Sequence, residues 1–174
     1  MVIGGGLGMG LVIAANMRRR LSNLKQLEKV MYLLEGELRY RHSTLGDAFA
    51  NISERTGEPF CEWLANLSNS LSVSKMSMDI NELCCTFVNI WNESLSQLYD
   101  DTSSYLLVED IELIKNMGQA LGHLDIETQL NEIKLETERL GTIIYELSKV
   151  LKDKSRMAVT LSTLGAILVV IILF

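Results

Sequence analysis

Residues 125–151 read DIETQLNEIKLETERLGTIIYELSKVL, and their spacing decides the fold. Ile126, Leu130, Ile133, Leu140, Ile144, Leu147 and Leu151 recur at helical intervals, and only Thr137 interrupts the seam. Asp125 stands where a helix start needs a side-chain acceptor. A matching seam of Leu24, Leu27, Met31, Leu34 and Leu38 predicts a first long helix over residues 18–41. Two long helices with facing apolar stripes should pair antiparallel as a stalk. With a single proline, Pro59, and no alternating strand pattern between them, the chain reads as all-α, a six-helix antiparallel bundle.

The four shorter helices follow from local signals. Thr44 and Asp47 form a capping pair for a second helix bearing Leu45, Ala48, Phe49 and Ile52, which stops near Gly57. Pro59 suits the first turn of a third, with Phe60, Trp63, Leu64 and Leu67 on one side. Residues 68–77 read as a polar linker. Asp79 and Glu82 then resemble a capping box opening a fourth helix, striped by Ile80, Cys84, Phe87, Trp91, Leu95 and Leu98. A fifth is expected over residues 108–121, carrying Ile111, Ile114, Met117 and Leu121, with Gly122 ending it.

Working outward, all 16 Lys and Arg and all 22 Asp and Glu residues fall within positions 18–156. Residues 157–174, MAVTLSTLGAILVVIILF, form an uncharged run of about 27 Å as a helix, close to a hydrocarbon core of ~30 Å. Residues 2–17 are also uncharged but rich in glycine, with Gly4/Gly8 and Gly6/Gly10 at the spacing that permits close helix approach. A cleaved signal peptide carries its positive charge before the apolar stretch; here the charge follows, so retention is expected. The chain therefore divides into an amino-terminal transmembrane segment (1–17), a cytoplasmic helical bundle (18–156) and a carboxy-terminal transmembrane segment (157–174). Arg18, Arg19, Arg20, Lys149, Lys152, Lys154 and Arg156 crowd the two borders, and basic borders stay cytoplasmic, so both termini should lie outside.

Net charge is −6, and residues 47–138 hold 17 acidic against four basic side chains. Such a surface repels phosphate, which excludes nucleic acid as a partner. It is either a solubilising surface or one that meets a basic partner. Cys61, Cys84 and Cys85 form no CxxC pair and read as reduced, buried thiols. His42 and His123 lack a second ligand at metal spacing. The glycine-rich segment contains no phosphate-binding loop. No catalytic residue, cofactor, metal or small-molecule substrate is expected, and the chain reads as non-enzymatic.

The candidate partner-binding residues are Gly118, Gly122, Asp125 and Gln129, with Glu109 and Asp110 at the start of the fifth helix. Helix capping accounts for the two acids equally well. Gly118 in mid-helix costs about 0.5–1 kcal/mol relative to alanine. Either a docking corner or a tight helix–helix junction would rationalise it. Self-association through the two long seams, as in a membrane-anchored regulator or receptor, is one role this layout would allow.

At this corner the chain resembles the stage III sporulation protein AB family of endospore-forming bacteria. The likeness rests on LEGELRYRHSTLGDAF (residues 34–49), NMGQALGHLDIETQ (residues 116–129) and the apolar ends. Leu34, Glu35, Leu45, Ala48, Gly118, Leu121, Gly122, Asp125 and Gln129 match the pattern. Thr44 stands where the family usually has proline, and Thr128 where it has a small residue. Family members are similar to the inner-membrane platform protein of type II secretion and type IV pilus machines. The resemblance implies a platform-type bundle flanked by two transmembrane helices, in the channel complex between mother cell and forespore. It also implies a companion secretion-type ATPase and other channel proteins as partners, on the mother-cell side of the outer forespore membrane.

Overall fold

The computed structural model describes the backbone of residues 2–41, 43–74, 80–100, 105–122 and 125–173, and the side chains of residues 14–41, 43–73, 86–98, 105–122, 125–154 and 157. Among these the chain is wholly helical. The elements are α1 (Val2–Gly36), a single π turn (Glu37–Arg41), α2 (Leu45–Ser53), α3 (Phe60–Ser74), α4 (Ile80–Asp100), α5 (Val108–Leu121) and α6 (Ile126–Leu173).

The two seams do face each other. Leu24, Leu27, Met31 and Leu34 of α1 are at most 1% exposed, and Ile133, Leu140, Ile144 and Leu147 of α6 are buried with them. Full burial of such a side chain stabilises by about 1.5–3 kcal/mol, so this pair is the spine of the fold. The pairing is antiparallel: Lys154 Nζ lies 3.6 Å from Met17 Sδ, while Gly141, earlier in α6, sits beside Glu28, later in α1. Thr137 does not break the seam, because its hydroxyl donates to Ile133 O at 2.7 Å. Ile126, expected to open the seam, is instead 47% exposed.

Helix starts follow their caps. Thr44 is the N-cap of α2, its hydroxyl accepting from Asp47 N. Asp125 opens α6, accepting from Thr128 N at 2.9 Å and Thr128 Oγ1 at 2.7 Å. The capping box expected at Asp79 falls outside the described residues, as do His42, His123 and the side chains of Cys84, Cys85 and Arg156.

Three expectations need correction. Residues 68–74 are not linker but the end of α3. Leu71 extends the Phe60, Leu64 and Leu67 stripe and is 7% exposed, and two serines of this stretch have their hydroxyls bonded. Ser68 Oγ donates to Gly46 O at 2.8 Å, and Ser72 Oγ donates to Ser68 O at 2.9 Å. Burial thus overrides a weak local propensity. The first helix does not run regularly to residue 41 but widens into the π turn. There the buried Glu37 carboxylate collects Arg41 Nη1 at 3.0 Å, Ser43 Oγ at 3.2 Å and Asn51 Nδ2 at 3.4 Å. Cys61 is a free thiol, as read, but only partly buried. It donates to Glu58 Oε1 at 3.0 Å, and that bond, with some burial, raises its pKa.

Trp91 is the keystone of α2 to α5. Its ring centroid lies 5.1 Å from that of Trp63 and 5.9 Å from those of Phe49 and Phe87. Its indole N–H donates to Ile114 O at 3.0 Å, so the buried polar tip is satisfied. Trp63 likewise donates to Ser94 Oγ at 3.1 Å.

Among the described residues no helix is long and apolar enough to cross a membrane. The expected spans, residues 1–17 and 157–174, fall almost entirely on side chains outside that set, and nothing among the described residues supports them. Their backbone continues α1 and α6 without interruption.

Candidate functional site

The six candidate partner residues do not converge. α5 is 14 residues long, so its ends stand about 20 Å apart. Glu109 and Asp110 occupy one end, and Gly118, Gly122, Asp125 and Gln129 gather at the other.

Asp110 is withdrawn from any docking role. Its side chain is fully buried, and it binds Arg20 through both carboxylate oxygens, at 2.7 and 2.8 Å. It also accepts Leu107 N at 2.8 Å, which tightens the first turn of α5. Hydrogen bonding to Asp110 raises the Arg20 pKa further, against the desolvation that lowers it. Arg20, read as a free border cation, is therefore a structural partner. Its neighbour Arg19 lies over the Tyr105 ring at 4.9 Å from the centroid and donates to the Tyr105 hydroxyl. Glu109 stays exposed, as do Arg18, Arg19, Lys152 and Lys154.

At the far corner the glycines act by closeness. A Cβ on Gly118 would stand 2.1 Å from Trp91 Cδ1 and 2.3 Å from its Nε1. The indole thus lies directly on the α5 backbone, and only hydrogen fits. Gly122 ends α5 with φ −71°, in right-handed conformation, and so is not the left-handed cap that its position suggested. A Cβ there would meet Val88 Cγ2 at 2.9 Å. Gln129 is buried and donates to Leu121 O at 2.9 Å, tying α6 back to the end of α5. Of the two readings left open for this corner, the tight junction accounts for Gly118, Gly122 and Gln129. What faces outward is the first turn of α6: Asp125, Ile126, Glu127 and Thr128 are all exposed. Two bonds from Thr128, the side-chain one foremost, hold the Asp125 pKa below its usual value.

Two surfaces escaped the sequence reading. One is a shallow groove of ≈ 290 Å³ between α1 and α6, where Glu28, Tyr32, Glu35 and Arg39 face Lys134 and Glu138. Its Glu35–Arg39 pair closes at 2.9 Å, an i,i+4 contact between a half-buried Glu35 and an exposed Arg39. The other is the run Tyr105–Leu106–Leu107–Val108, whose apolar text between polar stretches was the available signal. Leu106 is buried, but Leu107 is 49% and Val108 60% exposed.

Among the described residues no three His, Cys, Asp or Glu side chains group to hold a metal. The buried acids Glu37, Asp110 and Glu136 each bind an arginine, at 3.0, 2.7 and 2.7 Å. Of these pairs, Arg20–Asp110 joins α1 to α5, whereas Arg41–Glu37 and Arg139–Glu136 each lie within one element.

Comparison with known proteins agrees on one kinship. A family model described as stage III sporulation protein AB matches residues 1–174. The stage III sporulation protein AB of Bacillus subtilis (strain 168) is 24% identical over 164 residues, spanning 94% of this chain and 90% of that protein. A solved structure of stage III sporulation protein AB aligns with a TM-score of 0.63 at 24% identity, covering 77% of this chain and 97% of its own, which supports the bundle fold.

Proposed function

The chain belongs to the stage III sporulation protein AB family, and from that premise we propose that it is a non-enzymatic membrane platform needed for endospore formation. In this reading residues 1–17 and 157–174 are its anchors, and residues 18–156 form a bundle held in the cytoplasm on the mother-cell side. The bundle docks a companion secretion-type ATPase within the channel complex that joins mother cell and forespore.

The observation that carries the proposal is the α1–α6 pair. Both helices run without a backbone break from the bundle into the uncharged ends of the chain. The pairing brings Met17 beside Lys154, so the two ends leave the bundle together. A shared exit is what two crossings with an intervening domain require. As helices, the 16 uncharged residues 2–17 would cover ~24 Å and the 18 uncharged residues 157–174 ~27 Å, near the thickness of a bilayer core. The ATPase would meet the opposite end, where Asp125, Ile126 and Glu127 are exposed on a surface poor in positive charge.

A clean deletion should block sporulation once engulfment has begun, and a crosslinker placed at Glu127 should capture the ATPase. Normal spores from the deletion strain would overturn the role. Capture of the ATPase only from the Arg18–Lys154 end would overturn the docking geometry.

A further inference from the structure

We infer that the loop entering α5 is a third membrane contact: Tyr105, Leu107 and Val108, beside Arg18 and Arg19, form an interfacial patch that rests on an anionic lipid surface. The inference rests on the anchored reading above and adds a contact that neither span supplies.

The argument begins with position. Arg19 holds Tyr105 by its ring and its hydroxyl. Arg20 grips both oxygens of Asp110, and the same carboxylate accepts Leu107 N. Residues 105–110 are therefore fixed at the level of Arg19 and Arg20. Those arginines follow Met17 by two and three residues, a rise of about 3–5 Å along α1. Because α5 runs from this end to the corner near Gln129, its N-terminal turn points toward the uncharged ends of the chain.

Composition comes second. Leu107 and Val108 are 49% and 60% exposed, large apolar side chains on a chain turn that none of the described residues covers. Leu106 between Tyr105 and Leu107 turns inward to the core, so the turn is rooted and its neighbours are presented outward. Tyr105 takes φ 50°, a left-handed conformation that costs a non-glycine residue, and the Arg19 contacts hold it there. A tyrosine beside exposed leucine and valine, rimmed by arginine, has the make-up of a side that sits at the headgroup–acyl boundary.

Charge comes third. Arg20 and Asp110 cancel, leaving Arg18 and Arg19 against Glu109 on this loop's side. Lys152 and Lys154 are exposed on α6, with Lys154 placed at this level by Met17, against Asp153. Among the described residues the rim is net positive although the chain is net −6. Anionic headgroups attract such a rim, whereas an acidic protein surface elsewhere on the bundle would be repelled by them.

The test uses the full chain in vesicles of phosphatidylcholine, with and without phosphatidylglycerol, in which a fraction of the acyl chains is brominated. Trp63 and Trp91 are buried at 6% and 1% exposure, so the wild type supplies a background of unquenched emission. Leu107→Trp should gain a blue-shifted component that brominated lipid quenches, more strongly with phosphatidylglycerol present. Glu127→Trp, at the opposite end, should emit from water and escape quenching. Leu107→Trp emitting from water in vesicles that retain the protein through alkaline carbonate would overturn the loop contact and leave the anchors standing. Release of the protein by carbonate would overturn the anchored reading itself, and this inference with it.

Discussion

Gly118→Ala is the sharpest probe of how this bundle is held together. Alanine is the better helix former by about 1 kcal/mol, so on local grounds the change stabilises α5. The structure predicts the reverse. The new methyl would lie 2.1 Å from Trp91 Cδ1, 2.3 Å from Nε1 and 2.4 Å from Cγ. Restoring ordinary contact near ~3.5 Å requires the indole to retreat by about 1.4 Å. Retreat is blocked by Trp63, Phe49 and Phe87, and it stretches the 3.0 Å bond from the indole N–H to Ile114 O. Overpacking costs about 1–3 kcal/mol, and a buried donor left unpaired about 1–3 more. Less the gain in propensity, the net loss is about 1–5 kcal/mol, a Tm drop of roughly 2–20 °C for a chain of this size. Thermal unfolding of the full chain in detergent, followed by circular dichroism and tryptophan emission, reads it directly. Gly36→Ala is the internal control, because nothing lies within 4 Å of a Cβ at that position and propensity acts alone. A Gly118→Ala variant that melts with or above the wild type would refute the claim that Trp91 seats on the α5 backbone.

Asp110→Asn should cost about 2–4 kcal/mol, since it leaves Arg20 largely buried without its counter-charge; the denaturant midpoint measures this, with faster amide exchange over residues 105–110. Burial raises the Glu136 pKa, so the folded state holds that proton more tightly than the unfolded chain and stability falls as pH rises from the ordinary carboxylate value through the raised one. Glu136→Gln should abolish that fall and leave the variant more stable than the wild type at neutral pH, as melting curves across the acidic range would reveal. Asp125 has the opposite sign: its lowered pKa contributes stability above the ordinary carboxylate value, lost as pH drops through the folded value. Asp125→Ala should therefore lower Tm at neutral pH, with the difference from wild type vanishing in acid.

Much of the bundle was legible in one dimension because its causes are local. The seam of Leu24, Leu27, Met31 and Leu34 and that of Ile133, Leu140, Ile144 and Leu147 declare two amphipathic helices by spacing alone. Thr44 and Asp125 mark helix starts because a cap satisfies backbone donors within three residues. Where the cause was distant, the local text misled. Residues 68–74 are polar enough to pass for a linker, yet Leu71 is buried and Ser68 reaches Gly46 across to α2.

The candidate site divides along the same line. That residues 116–129 are special could be read from a glycine in mid-helix, whose cost demands a reason. Which reason was decided only by Trp91, 27 positions away, whose ring occupies the space a Cβ would need. Glu109 and Asp110 look alike on a helix turn, but Arg20, 90 residues earlier, buries one and leaves the other to solvent. Spacing along a chain fixes which face of a helix is apolar; it carries no information about what stands opposite. Helices, caps and the uncharged ends were thus set by neighbours in sequence. The partner of each buried charge and each glycine was set by the way the helices cross.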